Sequence, residues 1–290
     1  MMPDIGAEPK SSRAPSQRDS DYHGADATRD HTMTGSTLFA LVRAVSPAMD
    51  RCELTHLARS PIDVELAERQ HARYAQALVS LGCRLLELPA ESELPDSVFV
   101  EDTAVVLDEI AVLTRPGTES RQAEVASVAK VLELWRRCVR IQPPGTLDGG
   151  DVLRLGHELF VGQSGRSNAA GIAQLADAVA PAGYRVVPVP VRGCLHLKSA
   201  VTSVAPDTLL VNDAWVDRSH WPGFRLIAVA PEEPHAANAL RIGETVIHAA
   251  SEIRTRERLE AAGLRVVPID VSEVQKAEGG VTCCSVIFSG

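Results

Sequence analysis

The chain has 290 residues, of which 45% are apolar, and carries a formal net charge of -9; it is long enough to bury a sizeable core in one domain. The acid excess argues against a nucleic-acid surface, which is built on clustered Lys and Arg, and no stretch nears the ~20 apolar residues of a membrane span. With no apolar secretion signal, the expectation is a cytoplasmic protein with six reduced cysteines, none at the C-x-x-C spacing of a zinc or redox site, and so with no metal and no disulfide framework.

Residues 1–35 are polar and rich in Pro, Gly and Ser, a composition that cannot offset chain entropy; they are expected to be a disordered extension ahead of a single domain over 36–290. Residues 38–45 read as the first strand. The irregular stretch 46–60 that follows is long for a connection and is expected to form a lid. A helix is then predicted with Ser60 as N-cap and Pro61 at its first position, carrying Val64, Ala67, His71, Tyr74, Leu78 and Leu81 at helical spacing and stopping at Gly82.

From there a unit repeats. Residues 102–114 read as strand, two-residue turn and strand, followed by a helix over 119–137. Residues 151–162 do the same ahead of a helix over 168–180; 196–212 form a third hairpin turning at Pro206-Asp207; 238–248 form a fourth, leading to a helix over 251–262. A return every 40 to 50 residues, read along the chain, implies an array or a closed ring of supersecondary units.

Polar residues collect where each first strand opens: Asp96, Glu101 and Asp102, then Asp148 and Asp151, then His196, then Asn238, then Cys283. If the units close into a ring, these ends converge on one axis and put a thiol, an imidazole and carboxylates in one pocket. The last ten residues, 281–290, read as a docked strand after the Gly279-Gly280 turn. Alternation would put Thr282, Cys284 and Val286 on one face and Cys283, Ser285 and Ile287 on the other, so only one cysteine can face the pocket. Alternation does not say which.

At Leu147-Asp148-Gly149-Gly150-Asp151-Val152-Leu153, Cys194-Leu195-His196-Leu197-Lys198-Ser199 and Thr282-Cys283-Cys284-Ser285 the sequence resembles the dimethylarginine dimethylaminohydrolases of the guanidine-modifying (pentein) superfamily. Phe99-Val100-Glu101-Asp102, Thr114-Arg115-Pro116-Gly117, Ser120-Arg121 and Gly165-Arg166-Ser167-Asn168 extend the resemblance, which covers nearly everything from Leu38 onward. It implies a five-bladed α/β propeller of ββαβ-type units around a central pocket. It further implies cofactor-free hydrolysis of a small-molecule substrate, Nω,Nω-dimethyl- or Nω-methyl-L-arginine, to citrulline and the amine. In that reading Cys283 is the nucleophile, His196 the acid and base, and Asp148 the carboxylate that orients the imidazole. Arg121 and Arg166 match positions that bind the α-carboxylate, Asp96, Glu101 and Asp102 those that hold the substrate's cationic groups, and Leu54 and Ala277 those that offer main-chain carbonyls. The family register also selects Cys283 over Cys284. Gly149-Gly150 reads as a plain turn with no catalytic role, and the remaining histidines as structural.

Two other readings compete. Hydrolysis of unsubstituted arginine, of the deiminase or dihydrolase type, would use the same residues and release ammonia. A non-catalytic propeller that binds arginine derivatives would need the arginines and carboxylates but not the thiol.

Overall fold

The computed structural model describes residues 36–290. The expected disorder of residues 1–35 lies outside the described residues. Among the described residues, fifteen strands form five three-stranded sheets. Strand β1 (Leu38–Arg43) leads through helix α1 (Val64–Ser80) to β2 (Arg84–Leu88). Next come β3 (Ala104–Val106), β4 (Ile110–Leu113), α2 (Val125–Leu132) and β5 (Arg137–Arg140). The third unit holds β6 (Val152–Leu155), β7 (Glu158–Gln163), α3 (Ala169–Val179) and β8 (Arg185–Pro190). The fourth opens on the short helix α4 (Leu197–Ala200) and runs through β9 (Val201–Ala205), β10 (Thr208–Val211) and β11 (Arg225–Ala228). The fifth is β12 (Ala239–Ile242), β13 (Thr245–Ala249), α5 (Ile253–Ala261) and β14 (Arg265–Ile269), after which α6 (Ser272–Lys276) leads to β15 (Val286–Ser289).

Every sheet has the same build: a first strand antiparallel to the second, and a third parallel to the second. The last strand completes the pattern, because β15 pairs antiparallel with β1, which pairs parallel with β2. The first and last strands of the described residues therefore share one blade and close the ring. First strands of neighbouring blades adjoin, β3 with β15, β6 with β9 and β9 with β12, so they line the axis. This is a five-bladed α/β propeller. Its cores lie between blades; Leu78, Leu132, Leu159 and Leu209 are fully buried in four of them.

Three local expectations are corrected. The first helix starts at Val64 with Asp63 as N-cap, whose carboxylate accepts the Leu66 N–H at 2.9 Å. Ser60 is displaced from that role because Glu273 accepts the Asp63 N–H from across the fold and fixes the chain there. The predicted helix over 119–137 is a 3-10 turn, Glu119–Glu124, followed by the shorter α2. Most of the polar residues also do not sit on strand openings, although Asn238 stands directly ahead of β12. Glu101 and Asp102 lie on the helical turn Val100–Thr103, Asp151 on Gly149–Asp151, His196 at the N-cap of α4, and Cys283 in the turns ahead of β15. A helical turn lets neighbouring residues aim at the axis together, where a strand would send them to opposite faces.

Candidate active site

His196 ends an extended segment and caps α4, with its ring buried at 4% exposure. Its Nε2 lies 2.9 Å from Oδ2 of Asp148 and 3.9 Å from Oδ1 of Asp102. Asp148 is wholly buried and held from two further sides: Oδ1 accepts the Gly117 N–H at 2.8 Å, and its own N–H donates to Ser167 Oγ at 3.1 Å. A carboxylate fixed this way sets both the tautomer and the tilt of the ring it touches. Burial alone would lower the imidazolium pKa, but Asp102, the Asp148 hydrogen bond and Asp151 outweigh it and push His196 up to about 9.

The glycine pair is more than a plain turn. A Cβ on Gly150 would sit 2.7 Å from His196 Nδ1 and 2.8 Å from Asp102 Oδ1, and one on Gly149 would sit 2.0 Å from the Glu101 carbonyl oxygen. Only glycine lets the imidazole and the Asp102 carboxylate approach this stretch of backbone.

Cys283 sits on a tight turn in which its N–H donates to the Gly280 carbonyl at 3.2 Å and the Gly280 N–H donates back to Sγ at 3.3 Å. Neighbours brace the turn. The Tyr74 hydroxyl donates to the Val281 carbonyl, Glu101 N–H donates to the Cys283 carbonyl, and Thr282 N–H donates to Asn238 Oδ1. Burial first, then Glu101 and Asp102, push the Cys283 thiol up to about 12, against a smaller opposing pull from the Gly280 N–H and Lys198. In the free protein the Cys283 side chain is therefore a thiol.

Cys283, His196, Asp96, Asp102, Arg121, Arg166 and Ala277 line one small cavity, with Asp148 behind the imidazole. A larger cavity of about 200 Å³ opens beside it, sharing Cys283, Leu195, Glu278 and Gly279, and takes in His56 and His235. Lid residue Glu53 also lines the small cavity: its N–H donates to Asp96 Oδ2 at 3.1 Å and its carboxylate accepts from Ser120. Sequence reasoning missed Glu53 and Glu278. The Glu278 carboxylate accepts the N–H groups of Thr55, His56 and Leu57 and ties the lid to the pocket rim. Its positive φ of 59° was unforeseeable from a non-glycine residue.

Two expected substrate contacts do not reach the cavity. The Glu101 carboxylate accepts from Lys198 Nζ at 2.5 Å and Thr282 Oγ1 at 2.7 Å, so it anchors the turn that carries Cys283 and is not among the cavity-lining residues. Leu54, expected to offer its main-chain carbonyl, is not among the cavity-lining residues, although its neighbour Glu53 is. Arg121 does line the cavity, but its guanidinium already bridges Asp102 at 2.8 Å and Glu124 at 3.0 Å, all three buried. Arg166 differs: its guanidinium donates to the neutral hydroxyls of Thr118 and Thr55, with the Asp148 carboxylate 4.0 Å away. Of the two, Arg166 has the exchangeable partners.

Residues 58–288 match the family model for N,N-dimethylarginine dimethylhydrolase, eukaryotic. The N(G),N(G)-dimethylarginine dimethylaminohydrolase of Streptomyces coelicolor is 44% identical over 249 residues, covering 85% of this chain and 95% of that one. The Pseudomonas aeruginosa enzyme of the same name is 33% identical over 256 residues, covering 87% of this chain and all of that one. A crystal structure of a cysteine-to-serine variant of the P. aeruginosa protein with citrulline superposes with a TM-score of 0.84, at 31% identity and 87% and 99% coverage. Family model, relatives and fold agree: the chain belongs to the dimethylarginine dimethylaminohydrolase family.

Proposed function

We infer that the chain is a hydrolase that converts Nω,Nω-dimethyl-L-arginine or Nω-methyl-L-arginine to L-citrulline and dimethylamine or methylamine. The observation that carries this is one cavity in which Cys283 shares a wall with an imidazole backed by a buried carboxylate and flanked by a second, Asp102. Burial and His196 pull Asp102 in opposite directions; with Arg121 on the side of His196, the carboxyl is held at about 2 and stays ionised. Asp102 at the reacting end is suited to the guanidinium, and Asp96 at the lid end to the α-ammonium.

The chemistry follows from the two titrating groups. A bound guanidinium brings positive charge to a thiol whose ionisation is opposed by burial and carboxylates, and so favours the thiolate. Sulfur attacks the guanidinium carbon, and imidazolium His196 gives its proton to the departing amine nitrogen as the C–N bond breaks. The neutral imidazole then takes a proton from water, whose oxygen attacks the same carbon; the C–S bond breaks as the new hydroxyl gives its proton to solvent, so that citrulline forms and the thiolate and imidazolium are restored. No step requires a cofactor.

Purified protein supplied with dimethylarginine is expected to release dimethylamine and citrulline in equal amounts and to turn over unsubstituted arginine far more slowly. Preferential ammonia release from arginine would replace this reading with the dihydrolase one. Binding without any citrulline would replace it with a binding propeller.

The α-carboxylate lies far from the reacting carbon, so its partner contributes similarly to ground and transition states. Arg166→Ala is therefore expected to raise KM with kcat within a few-fold. Arg121→Ala should also lower Tm, because it strands two buried carboxylates, an effect on the order of 3–5 kcal/mol. Unchanged KM with a collapsed kcat in the Arg166 variant would remove it from carboxylate binding.

A further inference from the structure

Asp151 is fully buried and, among the described residues, forms no ion pair with a lysine or arginine. Its three hydrogen-bond donors are neutral. Oδ1 accepts the Leu197 N–H at 2.9 Å, and Oδ2 accepts Ser164 Oγ at 2.5 Å and Ser167 Oγ at 2.6 Å. A buried carboxylate with no counter-charge in direct contact is costly, so its placement calls for an account, and each of its three partners leads to the site. Leu197 directly follows His196. Ser167 Oγ accepts the backbone N–H of Asp148 at 3.1 Å. Ser164 Oγ accepts the backbone N–H of Arg166 at 3.0 Å and of Ser167 at 3.3 Å.

We propose that Asp151 is a positioning residue that holds the catalytic pair, Asp148 and His196, and the loop carrying Arg166 in one fixed arrangement; this rests on the functional reading above. The direction of the hydrogen bonds explains the choice of residue. Ser164 Oγ accepts two N–H groups and has only its proton left to give. Ser167 Oγ accepts one N–H and likewise points its proton at residue 151. With the Leu197 N–H, three donors converge on one side chain, which must then be an acceptor only. An ionised carboxylate has the lone pairs for all three, whereas an amide, in either orientation, would turn its NH2 toward the Leu197 N–H or toward the two hydroxyl protons. Gly162 makes room, since a Cβ there would lie 2.5 Å from Asp151 Oδ1. The charge adds a second effect, because Asp151 is one of the carboxylates that favour imidazolium His196. Burial in turn raises the Asp151 carboxyl to about 6, so it remains an anion at neutral pH.

The two serine arms predict a split that general damage would not give. Ser167→Ala cuts the arm to Asp148 and is expected to lower kcat with KM within a few-fold, because a displacement on the order of 1 Å in a reacting group can cost ~10²-fold. Ser164→Ala cuts the arm to the Arg166 loop and should raise KM about tenfold with kcat nearly kept, as expected for lost uniform binding. Asp151→Asn should combine both losses. A folded Asp151→Asn with wild-type kcat would overturn the proposal. So would Ser167→Ala and Ser164→Ala variants that change kcat and KM in parallel, and this comparison decides the matter if Asp151→Asn does not fold. His196→Ala is measured beside them. If it keeps turnover, the catalytic reading itself has failed; if it is inactive while Ser167→Ala matches wild type, only the role of Asp151 has failed.

Discussion

His196→Ala is expected to lower kcat on dimethylarginine by ~10² to 10⁴-fold, the usual range for loss of a general acid and base. The loss should appear at both stages, because the departing amine has no proton donor and the covalent adduct has no base to activate water. Single-turnover measurements separate the two, and a variant within a few-fold of wild type would take His196 out of the mechanism. The pH dependence supplies an independent sign. In the free protein the imidazole keeps its proton up to about 9 and the thiol its own up to about 12. Below pH 9 the pair therefore carries two protons, while the reacting form, thiolate with imidazolium, carries one. kcat/KM should then rise with pH by about tenfold per unit until near 9 and level above it. In His196→Ala the thiol must still lose its proton, so the rise should persist, but without the levelling near 9 that the imidazolium imposes. A wild-type profile falling between pH 6 and 9 would show that the proton count is wrong.

The ring was legible because its turns are local. Short connections separate the paired strands, with Pro206-Asp207 turning the third hairpin as expected and Gly156-His157 and Gly243-Glu244 turning its neighbours, and Asn168 caps α3 by accepting the Gly171 N–H. Convergence of the site was legible for the same reason, since one polar position recurs in each unit. What could not be read depends on partners distant in sequence. Glu101 and Asp102 are adjacent acids, and only Lys198 and Thr282 on one side and Arg121 on the other decide which faces the cavity. Asp63 is chosen as cap over Ser60 by Glu273. Asp151 stood within the motif but acquires its proposed role from Ser164, Ser167 and Leu197. One missed contact did have a local signal: Glu124 follows Arg121 by three residues, the spacing that puts two side chains on one helical face and here pairs them.

The choice between adjacent cysteines shows the same limit, and it leads to the largest effect expected here. The strand argument held that alternation puts one cysteine in the pocket, but residues 281–284 are turns, and the ladder of β15 begins only at Val286. The turn makes the separation instead. Cys283 lines both cavities with an N–H aimed at its sulfur, whereas Cys284 is buried at 2% exposure in the cluster around α1 and approaches only the Gly280 carbonyl. Burial and the neighbouring Cys283 and Glu101 raise the Cys284 thiol well above its ordinary range, and no donor offsets them. Cys283→Ser should abolish turnover, since a hydroxyl in this environment is a far weaker nucleophile than a thiolate, while dimethylarginine still binds. Cys284→Ala should keep kcat within a few-fold and lose stability by about 1 kcal/mol, the cost of removing one buried heavy atom. Acid quenching of the wild type during turnover, followed by peptide mass spectrometry, should place the S-alkylthiouronium increment on Cys283. An adduct on Cys284, or turnover by Cys283→Ser, would mean that the turn presents the other sulfur to the substrate and that the proposed chemistry is built on the wrong residue.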